Sequence, residues 1–440
     1  MYHFQNQEFG FREEILSRPY YKTDPITGGG PAQYISAEHK LSEPWKEQSH
    51  NVKLVGHSDL NGWGDAFQIQ VSKGICYVAA SGVNGHDGLT ILDVSDPSKP
   101  TILNQISDSP GARTHKVLKI NDDIMITNSE LRPNLREKYP ELKGGMKVFD
   151  ISDPINPKFL RYVETDGMGI HRPIYDRDRK LMYSSGYRDG FDKKILLIHD
   201  MKDPANPEFI GQGWVEGQKN DESYTWDNSI VQNEAWCHEG NPWGNYVTAG
   251  WWDGGIVLFD CTNPSKPEFK WRHNPHETHG WAGCYHSFLV PKGSEFGIVT
   301  QETVTVNCEH PPAFITFYDL RNKDIPLPVS TYMPFETDPY DMRPIDTKWS
   351  KTGSRHGAHN IWLDMKKDDL IYIAWFNAGL RIIDWSNPFS PKEVGYYIPP
   401  GNKERFCPQS NDVYVDRETG LIYMSDRWGL GLHILEYTGK

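Results

Sequence analysis

Several features are missing from this 440-residue sequence, and each absence excludes a class of protein. No stretch approaches 18 consecutive apolar residues, so a membrane-spanning helix is not expected. The opening residues, MYHFQNQEFGFREEIL, lack the basic and apolar regions of a secretory signal. The six cysteines show no paired spacing, which argues against a disulfide framework or a zinc ribbon. We therefore expect a cytoplasmic protein that does not enter a membrane.

Basic residues and the common catalytic motifs are also scarce. The chain has 46 Lys+Arg against 59 Asp+Glu, a net charge of −13, and it has no basic cluster of the kind that nucleic acid requires. The motifs GxxxxGK[ST], GxSxG, HExxH and GxGxxG are all absent. We expect no nucleic-acid partner, and we find no support for a serine hydrolase, an NTPase or a nicotinamide-dependent enzyme.

What the sequence does contain is turns, aromatic residues and a repeat. The 39 glycines, 31 prolines and 12% aromatic residues favour an all-β fold. One unit recurs: an apolar strand ends in Asp, and an Asx-Pro turn and a second proline follow. Its anchor residues are Asp93, Asp150, Asp200, Asp260, Asp319 and Asp384, with Glu436 in a degenerate seventh copy. Each copy has room for four strands in about 50–60 residues, which is typical of a β-propeller blade.

The two ends of the repeat region complement each other. NVKLVGHSD, at 51–59, resembles outer strands such as KEVGYYIP at 392–399, whereas the last copy has no outer strand of its own. We predict an all-β fold consisting of a single seven-bladed β-propeller at 51–440. The strand at about 51–58 completes the last blade and closes the ring. Residues 1–50 are predicted to form an N-terminal arm, and an arm of this kind leaves a homo-oligomer open.

The repeats also resemble a known family. The D[VI]SDP…P units, together with FNAGLRIIDWSNPFSPKEVGYYIP and NDVYVDRETGLIYMSDRWGLGLHILEY, look like the LVIVD-repeat family of bacterial β-propellers. The likeness extends over roughly residues 51–438. It implies the propeller fold but no particular activity, and it carries over no catalytic residues.

A functional signal emerges when the repeats are aligned on their anchors. The residue that opens each predicted inner strand is His in five copies, and it is Asp65 and Asn411 in the other two. Inner strands of a propeller line its axis, so these side chains should converge. The five histidines are His115, His171, His238, His286 and His359. The alternative interpretation is a ring of hydrogen-bonded core histidines around a polar channel.

Converging imidazoles suit a transition metal. We predict that His171, His238, His286 and His359 bind the ion, with Fe or Cu favoured and Mn or Zn possible. Carboxylates should lie near such imidazoles, either to orient them or to transfer protons. The predicted catalytic residues are therefore Glu302, His115 and Glu239, with Glu130 equivalent to Glu302 in the second repeat.

Long loops rich in aromatic residues are predicted to form a funnel above this centre. Arginines near the rim could bind a substrate carboxylate through a bidentate contact. The predicted substrate-binding residues are Tyr187, Trp251, Trp252, Trp375, Phe376, Trp428, Arg113 and Arg172. Weaker candidates are Trp226, Trp236, Trp281, Arg188, Arg355, Arg427, His273, His276, His279, His310, His356, Cys237 and Cys284.

These observations favour a metal-dependent enzyme that acts on a small, aromatic or otherwise apolar organic molecule. An oxidoreductase or oxygenase is the leading class, because an imidazole ligand set leaves open positions for O₂ and substrate. Two alternatives stay open. One is a non-redox Zn or Mn lyase, isomerase or hydrolase, and the other is a binding or scaffold propeller without chemistry.

Overall fold

The computed structural model describes residues 44–63, 66–81, 87–107, 112–131, 143–224, 235–274, 284–303, 313–337, 355–403 and 405–439. In these ranges the secondary structure is 29 β-strands and one short 3-10 turn at Leu60–Gly62, with no α-helix. No helix in the same ranges is long and apolar enough to cross a membrane. The predicted all-β class is therefore confirmed.

The strands are short, and most have five to seven residues. In chain order the first fifteen are β1 (Gln48–His50), β2 (Val52–Ser58), β3 (Ala66–Ser72), β4 (Ile75–Ser81), β5 (Asp87–Asp93), β6 (Thr101–Ser107), β7 (Ala112–Arg113), β8 (Val117–Lys119), β9 (Ile124–Leu131), β10 (Gly145–Asp150), β11 (Lys158–Glu164), β12 (Ile170–Asp176), β13 (Leu181–Tyr187), β14 (Lys194–Asp200) and β15 (Glu208–Gly213). The remainder are β16 (Ala235–Trp243), β17 (Tyr246–Trp252), β18 (Ile256–Asp260), β19 (Glu268–His273), β20 (Cys284–Leu289), β21 (Phe296–Glu302), β22 (Ile315–Asp319), β23 (Leu327–Tyr332), β24 (Ile371–Trp375), β25 (Gly379–Asp384), β26 (Lys392–Ile398), β27 (Ser410–Val415), β28 (Ile422–Asp426) and β29 (Gly431–Tyr437).

Strands that follow one another in the chain pair as antiparallel meanders. The groups are β3 to β6, β7 and β8 with β9 to β11, β12 to β15, β16 to β19, β20 to β23, β24 to β26, and β27 to β29. The fourth and fifth groups are joined by the pairing of Trp252 with Tyr285, so they count as one eight-stranded sheet. Apolar side chains from neighbouring groups, such as Ile298, Ile371 and Val413, pack together between the sheets.

The repeated Asp-containing unit has a clear structural role. In six copies the anchor carboxylate accepts a hydrogen bond from the backbone N–H two residues later, as in Asp93 with Ser95 at 2.9 Å and Asp384 with Ser386 at 2.9 Å. The Asx residue before the proline repeats the device, since Asp96 accepts from Ser98 N at 3.1 Å. These two consecutive Asx turns direct the chain into the outer strand of each group.

The start of the repeat region pairs with its end. Strand β2 is antiparallel to β29 from Val52–Tyr437 to Ser58–Leu432. The Lys53 ammonium lies 2.6 Å from the Glu436 carboxylate, so the residue that replaces Asp in the seventh copy forms a cross-strand ion pair. At Gly56 an added Cβ would collide with the backbone carbonyl of Pro97, which explains the glycine.

The last residues of the predicted arm form a strand, since β1 pairs with β26 through His50–Tyr396. Residues 1–43 of the arm lie outside the described ranges. The predicted inner strand of the sixth repeat, HNIWLD, is not a strand but a single bridge between Ile361 and Ile373. The His359 N–H nevertheless donates to Ala374 O at 3.0 Å, which fixes that backbone.

Candidate metal centre

The five predicted histidines lie side by side in an unbroken arc. Adjacent ring centroids are 4.6 Å apart for His115–His171, 4.8 Å for His171–His238, 3.8 Å for His238–His286 and 4.7 Å for His286–His359. All five side chains are buried. Their predicted convergence is therefore observed, and we call this set the histidine arc.

β-Bulges in the inner strands position several of these residues. In β12 the pairing passes from Ile170 directly to Arg172, and in β20 it passes from Tyr285 directly to Ser287. The residues left unpaired are His171 and His286. Asn411 is left unpaired in β27 in the same way. A bulge breaks the alternation of a strand, so it can redirect a side chain and its successor.

A second set of polar residues follows the arc along the chain. The residue after each of the five arc histidines is buried and polar, and so is the residue after Asn411. We call this set the polar tier: Lys116, Arg172, Glu239, Ser287, Asn360 and Asp412. Arg172 links two other members of the tier, because its guanidinium lies 3.1 Å from Glu239 Oε2 and donates to Asn360 Oδ1 at 2.8 Å. The sequence analysis had singled out only Arg172 and Glu239. These residues could have been found from the sequence, because each is polar at a position where a regular buried strand would have an apolar residue.

The side chain of Asn128 fixes the backbone at the His115 end of the arc, where no strand is present. His115 lies between β7 and β8, so its backbone has no ladder partner at that point. The Asn128 Oδ1 instead accepts from the N–H groups of His115 at 2.7 Å and Lys116 at 2.8 Å. Its Nδ2 donates to Ile170 O at 3.0 Å, which ties the second repeat to the third.

Glu130 is the centre of a buried ion-pair group. Its Oε2 lies 2.7 Å from Arg113 Nη2 and 2.6 Å from His171 Nδ1, while Lys194 Nζ lies 3.3 Å from its Oε1. Burial alone would raise the pKa of Glu130, but the charges of Arg113 and Lys194 outweigh it and lower the pKa to about 2. Arg113 is thus an ion-pair partner of Glu130, and its role as a substrate contact stays a prediction.

Glu302, the last residue of β21, lies between two arc histidines. Its carboxylate is 3.7 Å from His359 Nε2 and 3.9 Å from His286 Nε2, and it accepts from Arg355 Nη1 at 2.8 Å. The Nδ1 of His359 is 2.7 Å from the backbone oxygen of Asn411, so Nδ1 carries the proton in the neutral ring. The lone pair of His359 Nε2 therefore faces the carboxylate.

The histidines His286, His171 and His238 differ in how many of their ring nitrogens have a hydrogen-bond partner. Arg172 Nη1 lies 3.2 Å from His286 Nε2, and Ser287 Oγ lies 2.7 Å from His286 Nδ1. His171 Nε2 lies 3.1 Å from His238 Nε2, whereas His238 Nδ1 has no hydrogen-bond partner in the described ranges.

Electrostatics keeps the whole arc neutral. Burial, reinforced by nearby cationic side chains, lowers the pKa of each arc histidine well below its usual value. The neutral imidazole is the form that binds metals. The arc is therefore ready to act as a ligand set at physiological pH without losing protons first.

The spacing of the donor atoms fits a metal ion in part. His238, His286 and Glu302 bring their ligand atoms within 4.8 Å of one another, and so do His115, Glu130 and His171. Two nitrogens bound to one ion at about 2.1 Å lie about 3.0–4.2 Å apart, and the 3.1 Å between His171 and His238 falls in this range. That distance equally suits a hydrogen bond. The group of His238, His286 and Glu302 is better suited to bind a metal ion than the group of His115, Glu130 and His171. In the latter group two cations, Arg113 and Lys194, already bind Glu130.

Aromatic rings cover the histidines on several sides. Trp252 stacks on His238 at 5.3 Å and on Trp236 at 4.4 Å, and Phe376 stacks on His359 at 4.6 Å. Trp252 has a φ of 51°, a left-handed conformation that is costly for a bulky residue and that clusters at functional sites. Tyr187 is half-buried beside Lys194, which lies 5.9 Å from its ring.

Three predicted substrate contacts are core residues instead. Trp251 is fully buried and donates from Nε1 to Gln218 Oε1 at 2.9 Å. Trp375 packs edge-on against Tyr332 at 5.9 Å, and Trp428 is buried with Cys407. Neighbouring residues of a strand face opposite ways, so Trp251 packs between sheets while Trp252 reaches the arc.

The weaker candidates have ordinary roles or lie outside the described ranges. Burial raises the pKa of Cys237, which favours its thiol form. His356 is satisfied by Thr337 Oγ1 at 2.8 Å and Asn377 Oδ1 at 2.9 Å. Cys284 is buried, His273 ends β19, and Arg188 lies 3.5 Å from Asp166. The candidates outside the described ranges are Asp65, Trp226, His276, His279, Trp281 and His310.

Comparison with known proteins supports the reading of the repeats. Residues 63–107, 243–274 and 358–398 match the LVIVD repeat, so the predicted resemblance is confirmed in these three regions, which have β-propeller-like repeats of this kind. No curated protein matches the sequence.

Two solved structures resemble the fold. Raptor from Chaetomium thermophilum has a TM-score of 0.55 at 10% identity, with 90% of this chain and 30% of that chain covered. A chain of a mitotic checkpoint complex has a TM-score of 0.51 at 13% identity, with 90% and 96% covered. This chain thus spans about a third of the Raptor chain. Identities this low indicate a likeness of fold alone.

Proposed function

We propose that this chain of LVIVD repeats is a closed seven-bladed β-propeller that binds a transition-metal ion in the histidine arc and acts as an enzyme on a small organic molecule. Seven strand groups in chain order support the number of blades. The pairing of β2 with β29 supports closure, because it joins the first described repeat residues to the last. Closure removes two exposed sheet edges, which are aggregation-prone.

One observation carries the metal proposal. The lone pair of His359 Nε2 and the carboxylate of Glu302 face each other across 3.7 Å, although both are acceptors. Two buried acceptors in this arrangement repel unless a cation lies between them or within reach of both. Arg355 supplies one positive charge to Glu302, and a metal ion bound by Glu302, His359, His238 and His286 would supply another.

The ligand chemistry favours a redox enzyme. A ligand set of imidazoles and one carboxylate suits iron, and imidazole also suits copper. When bound, such an ion would offer open coordination positions to dioxygen and substrate. Fe and Cu therefore remain the favoured elements, while Zn or Mn would instead favour a lyase, isomerase or hydrolase.

The protein residues have distinct proposed roles. Glu302 is assigned as a metal ligand rather than a proton acceptor, because it lies between two arc histidines. His115 is neutral and its Nε2 has no partner among the described side chains, so it can accept or donate the substrate proton. Glu239 orients Arg172 in the polar tier, and its predicted catalytic role becomes one of positioning.

A non-catalytic binding protein is the second candidate, and a specific observation favours it. Glu130, Glu239 and Glu302 each have an arginine partner, so the ionic network is balanced pair by pair without an added cation. In that case the histidine arc is a polar lining, and the 3.1 Å contact between His171 and His238 is a hydrogen bond.

Metal titration of the Glu302→Gln variant distinguishes the metalloenzyme from the non-catalytic binding protein. We expect protein freed of metal with a chelator to bind one Fe(II), Cu(II), Mn(II) or Zn(II) per chain in a calorimetric titration. Glu302→Gln should bind at least tenfold more weakly, since it keeps the shape and loses the charge. Glu336→Gln is the matched control, because Glu336 is also buried and paired, with Arg381 at 2.9 Å. Equal affinity in both variants, or none in the wild type, would overturn the proposal.

A further inference from the structure

The arc leaves part of its surroundings unsatisfied. In the described ranges, both amide atoms of Gln68 and of Asn411 lack a hydrogen-bond partner, and so does Nε2 of His115. Lys116 is buried as well, and the charges of Arg172, Asp412 and Glu239 act on its ammonium. Buried polar groups in native proteins are almost always paired, so three residues with unpartnered polar atoms beside a buried lysine point to a ligand.

These four residues lie together on neighbouring repeats. Strand β3 lies between β27 and β8: Gln68 N donates to His115 O at 3.2 Å, and Ile69 N donates to Asp412 Oδ2 at 3.0 Å. The histidine arc spans repeats two to six and ends at His115 and His359. Gln68 and Asn411 come from the two repeats that contribute no histidine, and Asn411 O also holds His359.

The charge of the region favours an anion. The cations that face the arc and Lys116 outnumber the carboxylates. The cations are Arg113, Lys116, Arg172, Lys194, Arg355 and Arg427, and the carboxylates are Glu130, Glu239, Glu302 and Asp412. Burial raises the pKa of Asp412 to about 6, which weakens its negative charge further. A metal ion in the arc would increase this excess.

We propose that Lys116, Gln68 and Asn411 bind the carboxylate group of the substrate, which makes the substrate a small organic acid. An ammonium and two amide groups offer several donors, and a carboxylate accepts about four hydrogen bonds. The organic part of the acid would lie against Phe67 and Phe376, which stack on His115 and His359 at the two ends of the arc. This inference rests on the proposed function only for the reaction, because the carboxylate site itself needs no metal.

The test is anion binding to metal-free protein at pH 7 and constant ionic strength. The probes are sodium benzoate and sodium acetate, with benzamide and acetamide as uncharged counterparts and sodium chloride as the salt control. We expect at least one acid to bind tenfold more tightly than its amide in calorimetry and to raise the melting temperature. Lys116→Met should abolish this preference, and Gln68→Leu should reduce it about threefold. Lys147→Met, which replaces another buried lysine on β10, should not change it.

Two results would overturn the inference. One is that neither acid binds better than its amide, and the other is that Lys116→Met and Gln68→Leu bind both acids like the wild type. Failure of the proposed function is a different result. Protein that binds benzoate through Lys116 but never binds a metal would refute the metalloenzyme and leave the acid site intact. Protein that binds a metal but neither acid would refute the acid site and leave the metal proposal intact.

Discussion

The residues of this site differ from the rest of the interior because several of them are charged and buried. Glu130, Glu239 and Glu302 are matched by arginines, and the five imidazoles are neutral. Lys116 is the exception, because burial and the charge of Arg172 lower its pKa to about 8, while Asp412 and Glu239 oppose that shift. A buried lysine whose pKa is lowered in this way is a candidate functional residue.

Lys116 should therefore make stability depend on pH in a defined direction. The pKa of Lys116 is lower in the folded chain than its usual 10.5, so the unfolded chain holds more protons between pH 8 and 10.5. Wild-type stability should rise over that range by about 1–3 kcal/mol relative to Lys116→Met. Below pH 8 the difference should be constant, with Lys116→Met the more stable. Chemical denaturation at pH 7, 8, 9 and 10 measures this, and parallel curves for the two proteins would contradict it.

At this scale the sequence predicted some residues well and missed others for physical reasons. The five histidines could be found because each opens the predicted inner strand of its repeat, and the Asp-containing turns show where the repeats lie. Trp251 and Trp252 were both assigned to the substrate, although a strand sends neighbours to opposite sides and only Trp252 reaches His238. Lys116 and Gln68 were missed, because a lone polar residue within an apolar run gives no hint of what surrounds it.

Among the elements, the inner strands carry bulges at positions of the arc. The repeat pattern predicted the second and third strands, which are buried on both faces, as in β9 and β13. It could not reveal the bulges at His171 and His286, since an extra residue in one strand leaves no mark in the sequence of that strand alone. It also predicted an inner strand at HNIWLD, where the chain instead forms a single bridge at Ile361.

Removal of strand β2 tests whether its pairing with β29 closes the ring. A chain of residues 59–440 lacks β1 and β2, so β29 would expose its unpaired edge, whereas residues 44–440 keep both strands. We expect the shorter chain to melt at least 10 °C lower and to associate through the free edge. Thermal denaturation and light scattering on the two chains would measure this. A 59–440 chain as stable and monomeric as 44–440 would argue against a ring closed by β2.

The whole molecule combines regular repeats of paired strands with a buried polar cluster, whose desolvation costs folding free energy. Consecutive Asx turns and paired meanders form repeats that are largely apolar inside, while one end of their inner strands gathers histidines, carboxylates and arginines. An arrangement of neutral imidazoles around Glu302 is difficult to explain by packing alone. The central claim is therefore that the histidine arc binds one metal ion.

Elemental analysis of the protein purified without a histidine tag tests that claim most directly. The variants are His238→Ala/His359→Ala and, as a control, His199→Ala, which removes a buried histidine outside the arc. We expect about one Fe, Cu, Mn or Zn ion per chain in the wild type and in His199→Ala, as for a single protein metal site. The double variant should keep its folded circular dichroism spectrum and lose the ion. A wild type that contains no stoichiometric metal, even after reconstitution with each of the four, would contradict the account.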